Sequence, residues 1–142
     1  SLPHLLTQRD LQAAMKDFYA CLAPGGLLIL QNRNFDGVLA THERWMEPQV
    51  FSNDDHEWIY QRFYDFEPNG LIRFNIVTLT RPLSGDWQAS LTSTYLYPQT
   101  RQEVEEAVLE AGFRYAQVYG SLADVEFDPH KSSNLVLVAR KP

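Results

Sequence analysis

The segment Leu22-Ala23-Pro24-Gly25-Gly26-Leu27-Leu28-Ile29-Leu30 constrains this chain more than any other stretch. Upstream, apolar residues recur at Leu11, Ala14, Met15, Phe18 and Leu22, which is helical spacing. Thr7 can cap that helix, with Asp10 three residues on as a shortened capping-box partner. Pro24-Gly25-Gly26 must stop the helix and turn the chain. The apolar run Leu27–Leu30 is too short for a helix and reads as a strand buried on both faces, as in a parallel sheet. Helix, glycine turn and buried strand make the second half of a βαβ unit.

Downstream the pattern changes. Residues 57–67 alternate, with Trp58, Tyr60, Tyr64 and Phe66 on one side. Pro68-Asn69-Gly70 is a turn, and residues 71–81 form a second strand with Ile72, Phe74 and Ile76 on one side. A turn at Pro82 to Gly85 leads to a third strand over 86–97. Three β-rich runs joined by short turns predict an antiparallel meander. Trp45, Trp58 and Trp87, with the tyrosines of these strands, give it an aromatic layer suited to a small-molecule pocket or to packing. Thr100-Arg101-Gln102-Glu103 is a capping box opening a second helix, with Val104, Ala107, Val108 and Ala111 as its apolar stripe and Gly112 as its stop. Phe113 to Tyr119 predicts a strand, and Leu135-Val136-Leu137-Val138-Ala139 a last buried strand. The order gives an α/β architecture with an inserted β layer at about 50–97. A sheet whose first buried strand follows a helix at the very start reads as part of a larger α/β domain.

Charge and cysteine usage limit the function classes. With 12 basic against 18 acidic residues the net charge is −6, which argues against nucleic-acid binding through phosphate neutralisation. No apolar run approaches the roughly 20 residues that cross a bilayer, so no membrane partner is expected. The single cysteine, Cys21, excludes an internal disulfide and fits a reducing, cytoplasmic setting; beside Leu22 it reads as a small packed hydrophobe. His42, Asp54, Asp55, His56 and Glu57 match no ligand spacing, so no metal site is expected.

Residues 22–30 resemble the L-x-P-G-G-x-L turn before the fifth strand of class I S-adenosylmethionine-dependent methyltransferases. Leu109-Glu110-Ala111-Gly112-Phe113 is similar to that family's L-x-x-A-G-F before the sixth strand, and the segment ending Ala139-Arg140-Lys141 resembles the seventh. A narrower resemblance is to glycine/sarcosine N-methyltransferases: Arg33-Asn34-Phe35-Asp36 to their R-N-Y-D, Ser1-Leu2-Pro3-His4-Leu5 to their N-S-x-x-H-L, and Tyr97-Pro98 to their Y-P. The resemblance implies the C-terminal half of a Rossmann-like seven-stranded methyltransferase sheet, filling residues 1–142, with an antiparallel three-stranded layer inserted where the family keeps its substrate lid. It implies S-adenosylmethionine as cofactor and a small-molecule acceptor, an amine beside a carboxylate. The chain departs from the family in having no G-x-G loop and no acidic residue for the cofactor's ribose, so the piece alone is expected to be inactive and to bind cofactor weakly. Ile76 stands near a place where the glycine enzymes use Tyr, a departure that bears on whether glycine itself is the acceptor.

Specific residues carry these expectations. A guanidinium matches a carboxylate bidentately, and Arg33 sits at the carboxyl end of a strand, where open α/β sheets bind ligands; the alternative is an ion pair with Asp36. Asn34 either orients substrate or caps the following turn. Tyr95 and Tyr97 are expected on one face of the last insert strand, Tyr97 shaping the methyl site and Tyr95 contacting substrate, or both as half-buried core aromatics. Ser1 and His4 are similar to cofactor-lining residues. A cut sheet edge predicts self-association or a missing N-terminal half. The competing reading is a stand-alone α+β module that binds a small ligand or dimerises, without catalysis.

Overall fold

The computed structural model describes residues 2–142 and divides into two compact units. The first combines the chain up to His42 with Tyr97–Pro142; the second is Glu43–Leu96.

In the first unit a 3-10 turn (Leu2–His4) precedes helix α1 (Gln8–Cys21), strand β1 (Leu27–Arg33) and the short helix α2 (Phe35–Thr41). After the second unit the chain continues with α3 (Arg101–Glu110), β6 (Arg114–Tyr119) and β7 (Asn134–Arg140). Thr7 caps α1 as its sequence position predicts, its hydroxyl accepting from the Asp10 N–H. Thr100 and Glu103 form both halves of the capping box on α3. Gly25 takes φ +79 in the turn, a conformation open to glycine, and its N–H reaches the Lys141 carbonyl at 3.0 Å. The Lys141 ammonium in turn donates to the Tyr19 and Leu22 carbonyls at the end of α1, both at 2.8 Å. The glycine turn therefore fastens the end of α1 to the end of β7.

The sheet runs β1-β7-β6 with every pairing antiparallel. Leu28 and Leu30 pair with Ala139 and Leu137, and these four side chains form a core with Leu11, Met15, Val104, Val108, Phe113 and Leu135. Here two expectations are corrected. The Leu27–Leu30 strand is not buried on both faces: Leu27 and Ile29 are 48% and 57% exposed, because the helices cover one face only. Nor is it parallel to a neighbour among the described residues; its one partner is β7, and its other edge is free. The described residues of the first unit supply three strands, about half the number in the seven-stranded sheet that the resemblance implies. Cys21 is exposed rather than packed, since the last turn of α1 directs it away from the core.

The second unit is a four-stranded antiparallel sheet in the order β2-β3-β4-β5: β2 (Gln49–Ser52), β3 (His56–Phe66), β4 (Ile72–Pro82) and β5 (Gln88–Leu96). The expected three-stranded layer lacks β2, whose four residues are all exposed and carry no alternation that would reveal them. The last strand also ends at Leu96, one residue short of Tyr97, so Tyr95 and Tyr97 do not share a strand face. Tyr97 belongs to the first unit and Tyr95 to the second.

No helix among the described residues is long and apolar enough to cross a membrane.

Candidate functional site

Alternation along β1 decides what its carboxyl end presents. Asn32 follows Leu28 and Leu30 onto the core side and is 7% exposed, so its amide requires a buried partner. Gln99 supplies it: the Asn32 Nδ2 donates to Gln99 Oε1 at 3.0 Å. Gln99 is 1% exposed, and its own Nε2 donates to the Leu2 carbonyl at 2.8 Å. The Tyr97 N–H donates to the Pro3 carbonyl at 2.7 Å. Two buried amides thereby tie the end of β1, the start of the chain and the segment leading into α3.

Arg33, one residue on, falls on the opposite side and is exposed, beside Asn134 of β7. Its guanidinium makes no ion pair among the described residues. The expected alternative partner, Asp36, is engaged elsewhere: its Oδ2 accepts from the Arg101 N–H at 2.8 Å, at the opening of α3.

Asn34 is 3% exposed and caps α2. Its Oδ1 accepts from the Gly37 N–H at 3.3 Å, and its Nδ2 donates to the Pro129 and Ser132 carbonyls at 2.9 and 2.8 Å. Both amide hydrogens are committed to the loop before β7. Arg33 is thus held between two residues whose side chains are hydrogen-bonded into the fold.

Tyr97 is part-buried, and its phenol donates a short hydrogen bond to Glu103 Oε1. The other oxygen of Glu103 accepts from the Thr100 N–H and hydroxyl, at 2.9 and 2.8 Å. This bond to Glu103, with burial and the carboxylate's charge, pushes the Tyr97 phenol up to about 12. Burial alone would raise Glu103, but the hydrogen bonds from Tyr97 and Thr100 outweigh it and hold the carboxyl below its ordinary value. Tyr97 is therefore a neutral phenol whose hydrogen is already placed, leaving its oxygen lone pairs as acceptors.

The remaining sequence-nominated residues make none of these hydrogen bonds. Tyr95 is 42% exposed at the end of β5, its ring 5.6 Å from the Arg73 guanidinium. His4 is exposed and closes the 3-10 turn. Ser1 lies outside the described residues. The sequence reading missed Asn32, Gln99 and the pairing of Glu103 with Tyr97. Glu103 was legible as a capping residue, but nothing local marks Gln99 as buried.

Alongside β1 runs a groove of about 480 Å³, lined by Leu2, Leu5, Ala14, Phe18 and residues 29–32. No protein-family model matches the chain. The glycine/sarcosine N-methyltransferase of Halorhodospira halochloris is 27% identical over 139 residues, covering 92% of this chain and 46% of that enzyme. The glycine/sarcosine/dimethylglycine N-methyltransferase of Actinopolyspora halophila is 26% identical over 124 residues, 87% of this chain and 20% of that protein. The chain is similar in sequence to S-adenosylmethionine-dependent methyltransferases of this glycine/sarcosine kind. It spans less than half the length of either curated relative. Among solved structures, Streptomyces venezuelae DesVI superposes with a TM-score of 0.79 at 19% identity, over 99% of this chain and 55% of that one. An S-adenosylmethionine-dependent methyltransferase from Clostridium acetobutylicum gives 0.75 at 11%, over the same shares. CcbJ of Streptomyces caelestis gives 0.70 at 20%, over 99% and 57%. The fold is thus that of about half a methyltransferase of this kind.

The described residues do not by themselves fit a cradle for S-adenosylmethionine. The groove beside β1 has no acidic side chain to meet a ribose, and the Asn32 amide within it already donates to Gln99. What the end of β1 does present is an exposed guanidinium, Arg33, between the hydrogen-bonded side chains of Asn32 and Asn34.

Proposed function

We propose that this chain is the acceptor-binding, C-terminal part of a methyltransferase catalytic domain whose substrate is a small amine carrying a carboxylate, the class to which glycine and sarcosine belong. The observation that carries this reading is Arg33: an exposed guanidinium with no ion pair among the described residues, at the carboxyl end of β1 and between two residues fixed by hydrogen bonds. A carboxylate can take its two parallel N–H donors. Tyr97 contributes a phenol oxygen that accepts from an N–H of the neutral amine or a polarised methyl C–H, and its high pKa keeps it from acting as a base at neutral pH. Asn34 serves as a positioning residue, setting the backbone on which Arg33 stands. Amine methylation needs the acceptor held in line and away from water, and a carboxylate anchor is one way to hold it.

The free edge of β1 supports a second element of this reading. Leu27 and Ile29 beside an unpaired strand edge suit pairing with a further strand, from the remainder of such a domain or from a second copy. The stand-alone binding or dimerisation module shares this requirement.

The test is methyl transfer from S-adenosylmethionine by the complete gene product, with products weighed by mass spectrometry. Glycine and sarcosine are compared with methylamine and dimethylamine, which lack the carboxylate. Transfer confined to the carboxylate-bearing acceptors is expected. Equal transfer to the plain amines, or none to any acceptor, overturns the proposal.

A further inference from the structure

The second unit holds four arginines, and three are satisfied in the same way. Arg44 pairs with Asp65 at 2.5 Å, Arg73 with Glu67 at 2.7 Å and Arg81 with Glu57 at 2.8 Å. Each of the three also rests over an aromatic ring, Trp45 or Phe63, Tyr95 and Trp87 respectively.

Arg62 is the exception. It lies mid-way along β3, half-buried, with no side-chain hydrogen bond, ion pair or ring contact among the described residues. Its Nε is shielded from solvent and has no acceptor. A guanidinium cannot lose its proton to relieve that desolvation, and a buried donor left unmade is costly. The carboxylates that flank it on β3, Glu57 and Asp65, alternate onto the opposite face and are taken by Arg81 and Arg44. Arg73 also has an unpartnered Nε, but its charge is met by Glu67.

The register names the neighbours of Arg62 on its face of the sheet. Tyr60 and Tyr64 flank it on its own strand. Across the sheet it pairs with Ile76, which pairs in turn with Thr92. Among the described residues at these strand positions the side chains are aromatic, aliphatic or hydroxyl, and none is a carboxylate. A planar anion with two oxygens would meet both the unpaired charge and the fork geometry of the guanidinium.

We propose that Arg62 anchors a small carboxylate on the Tyr60–Tyr64 face of the β2-β3-β4-β5 sheet. This site lies wholly within the second unit and does not depend on the role of Arg33.

The experiment titrates the chain with sodium acetate and, separately, sodium chloride, following the Arg62 Nε–H and the Tyr60, Ile76 and Thr92 amides by ¹⁵N NMR. Saturable shifts with acetate and none with chloride are expected. Arg62→Lys should weaken acetate binding at those amides at least tenfold, whereas Arg73→Lys and Arg33→Ala should leave it unchanged. Shifts that stay linear, that chloride reproduces, or that survive Arg62→Lys overturn the proposal. Should Arg62→Lys not fold, the wild-type acetate and chloride titrations decide it alone: saturation specific to acetate at the Arg62 Nε–H supports the site, and its absence refutes it.

Discussion

The Tyr97 phenol donates to Glu103, the residue whose other oxygen closes the capping box of α3. One carboxylate thus both starts a helix and fixes the hydrogen of a tyrosine at the candidate site. The pair is sensitive to pH in two directions. The Tyr97 pKa is raised from 10.0 to about 12, so its contribution to stability is fully present below pH 10 and is lost as pH rises towards 12. The Glu103 pKa is lowered, so its contribution is present above the ordinary carboxylate value and is lost as pH falls through the depressed one. Ultraviolet titration of tyrosinate should show a late step near pH 12 that disappears in Tyr97→Phe and moves back towards 10 in Glu103→Gln. A titration curve that Tyr97→Phe leaves unchanged at its alkaline end contradicts the assignment.

Asn34 is the hub beneath Arg33. Asn34→Ala removes a helix cap and strips two loop carbonyls of their donor. The expected loss is about 2–3 kcal/mol in urea unfolding. Asn34→Asp retains the acceptor for the Gly37 N–H but sets a carboxylate against the Pro129 and Ser132 carbonyls, so it should also destabilise. A change below about 0.5 kcal/mol for both variants, the range of an ordinary surface substitution, contradicts the role given to this side chain.

What the sequence disclosed follows the range of the interactions. Thr7, Pro24-Gly25-Gly26, Thr100 and Glu103 act within a few residues of themselves, and each does what its local pattern predicts. The alternation of 57–97 carried β3, β4 and β5 almost to their ends. Strand β2 was hidden because its four exposed residues have no face to bury, and what holds it is its pairing with β3 and the edge contact of Phe51 with Tyr60. The isolated environment of β1 was misread for the opposite reason. Leu27–Leu30 is apolar on both sides, yet only one side is covered. The exposed place of Arg33 at the end of an apolar strand was legible. Gln99 was not, since its partners Asn32 and Leu2 lie more than sixty residues away in sequence.

The free edge of β1 predicts association of this chain. Ile29 is 57% exposed beside that edge. Sedimentation equilibrium should show concentration-dependent self-association that Ile29→Lys reduces, with monomer stability altered by no more than about 0.5 kcal/mol. A wild-type chain that stays monomeric across the accessible concentration range contradicts the prediction.

Cofactor binding by this chain alone should be weak. A nucleotide needs clustered backbone N–H donors such as a glycine-rich loop provides, and the sequence contains no G-x-G. Calorimetry with S-adenosylmethionine should give no saturation at micromolar concentrations. A micromolar Kd would contradict this account of what the described residues hold.

The central claim is that Arg33 receives the carboxylate of the acceptor, and steady-state kinetics of the complete gene product test it most directly. KM is measured for sarcosine and for its carboxamide analogue, in the wild type and in Arg33→Ala. The account predicts that Arg33→Ala raises KM for sarcosine at least tenfold and abolishes the preference for the carboxylate over the amide. An unchanged KM for sarcosine, with the preference intact, would contradict it.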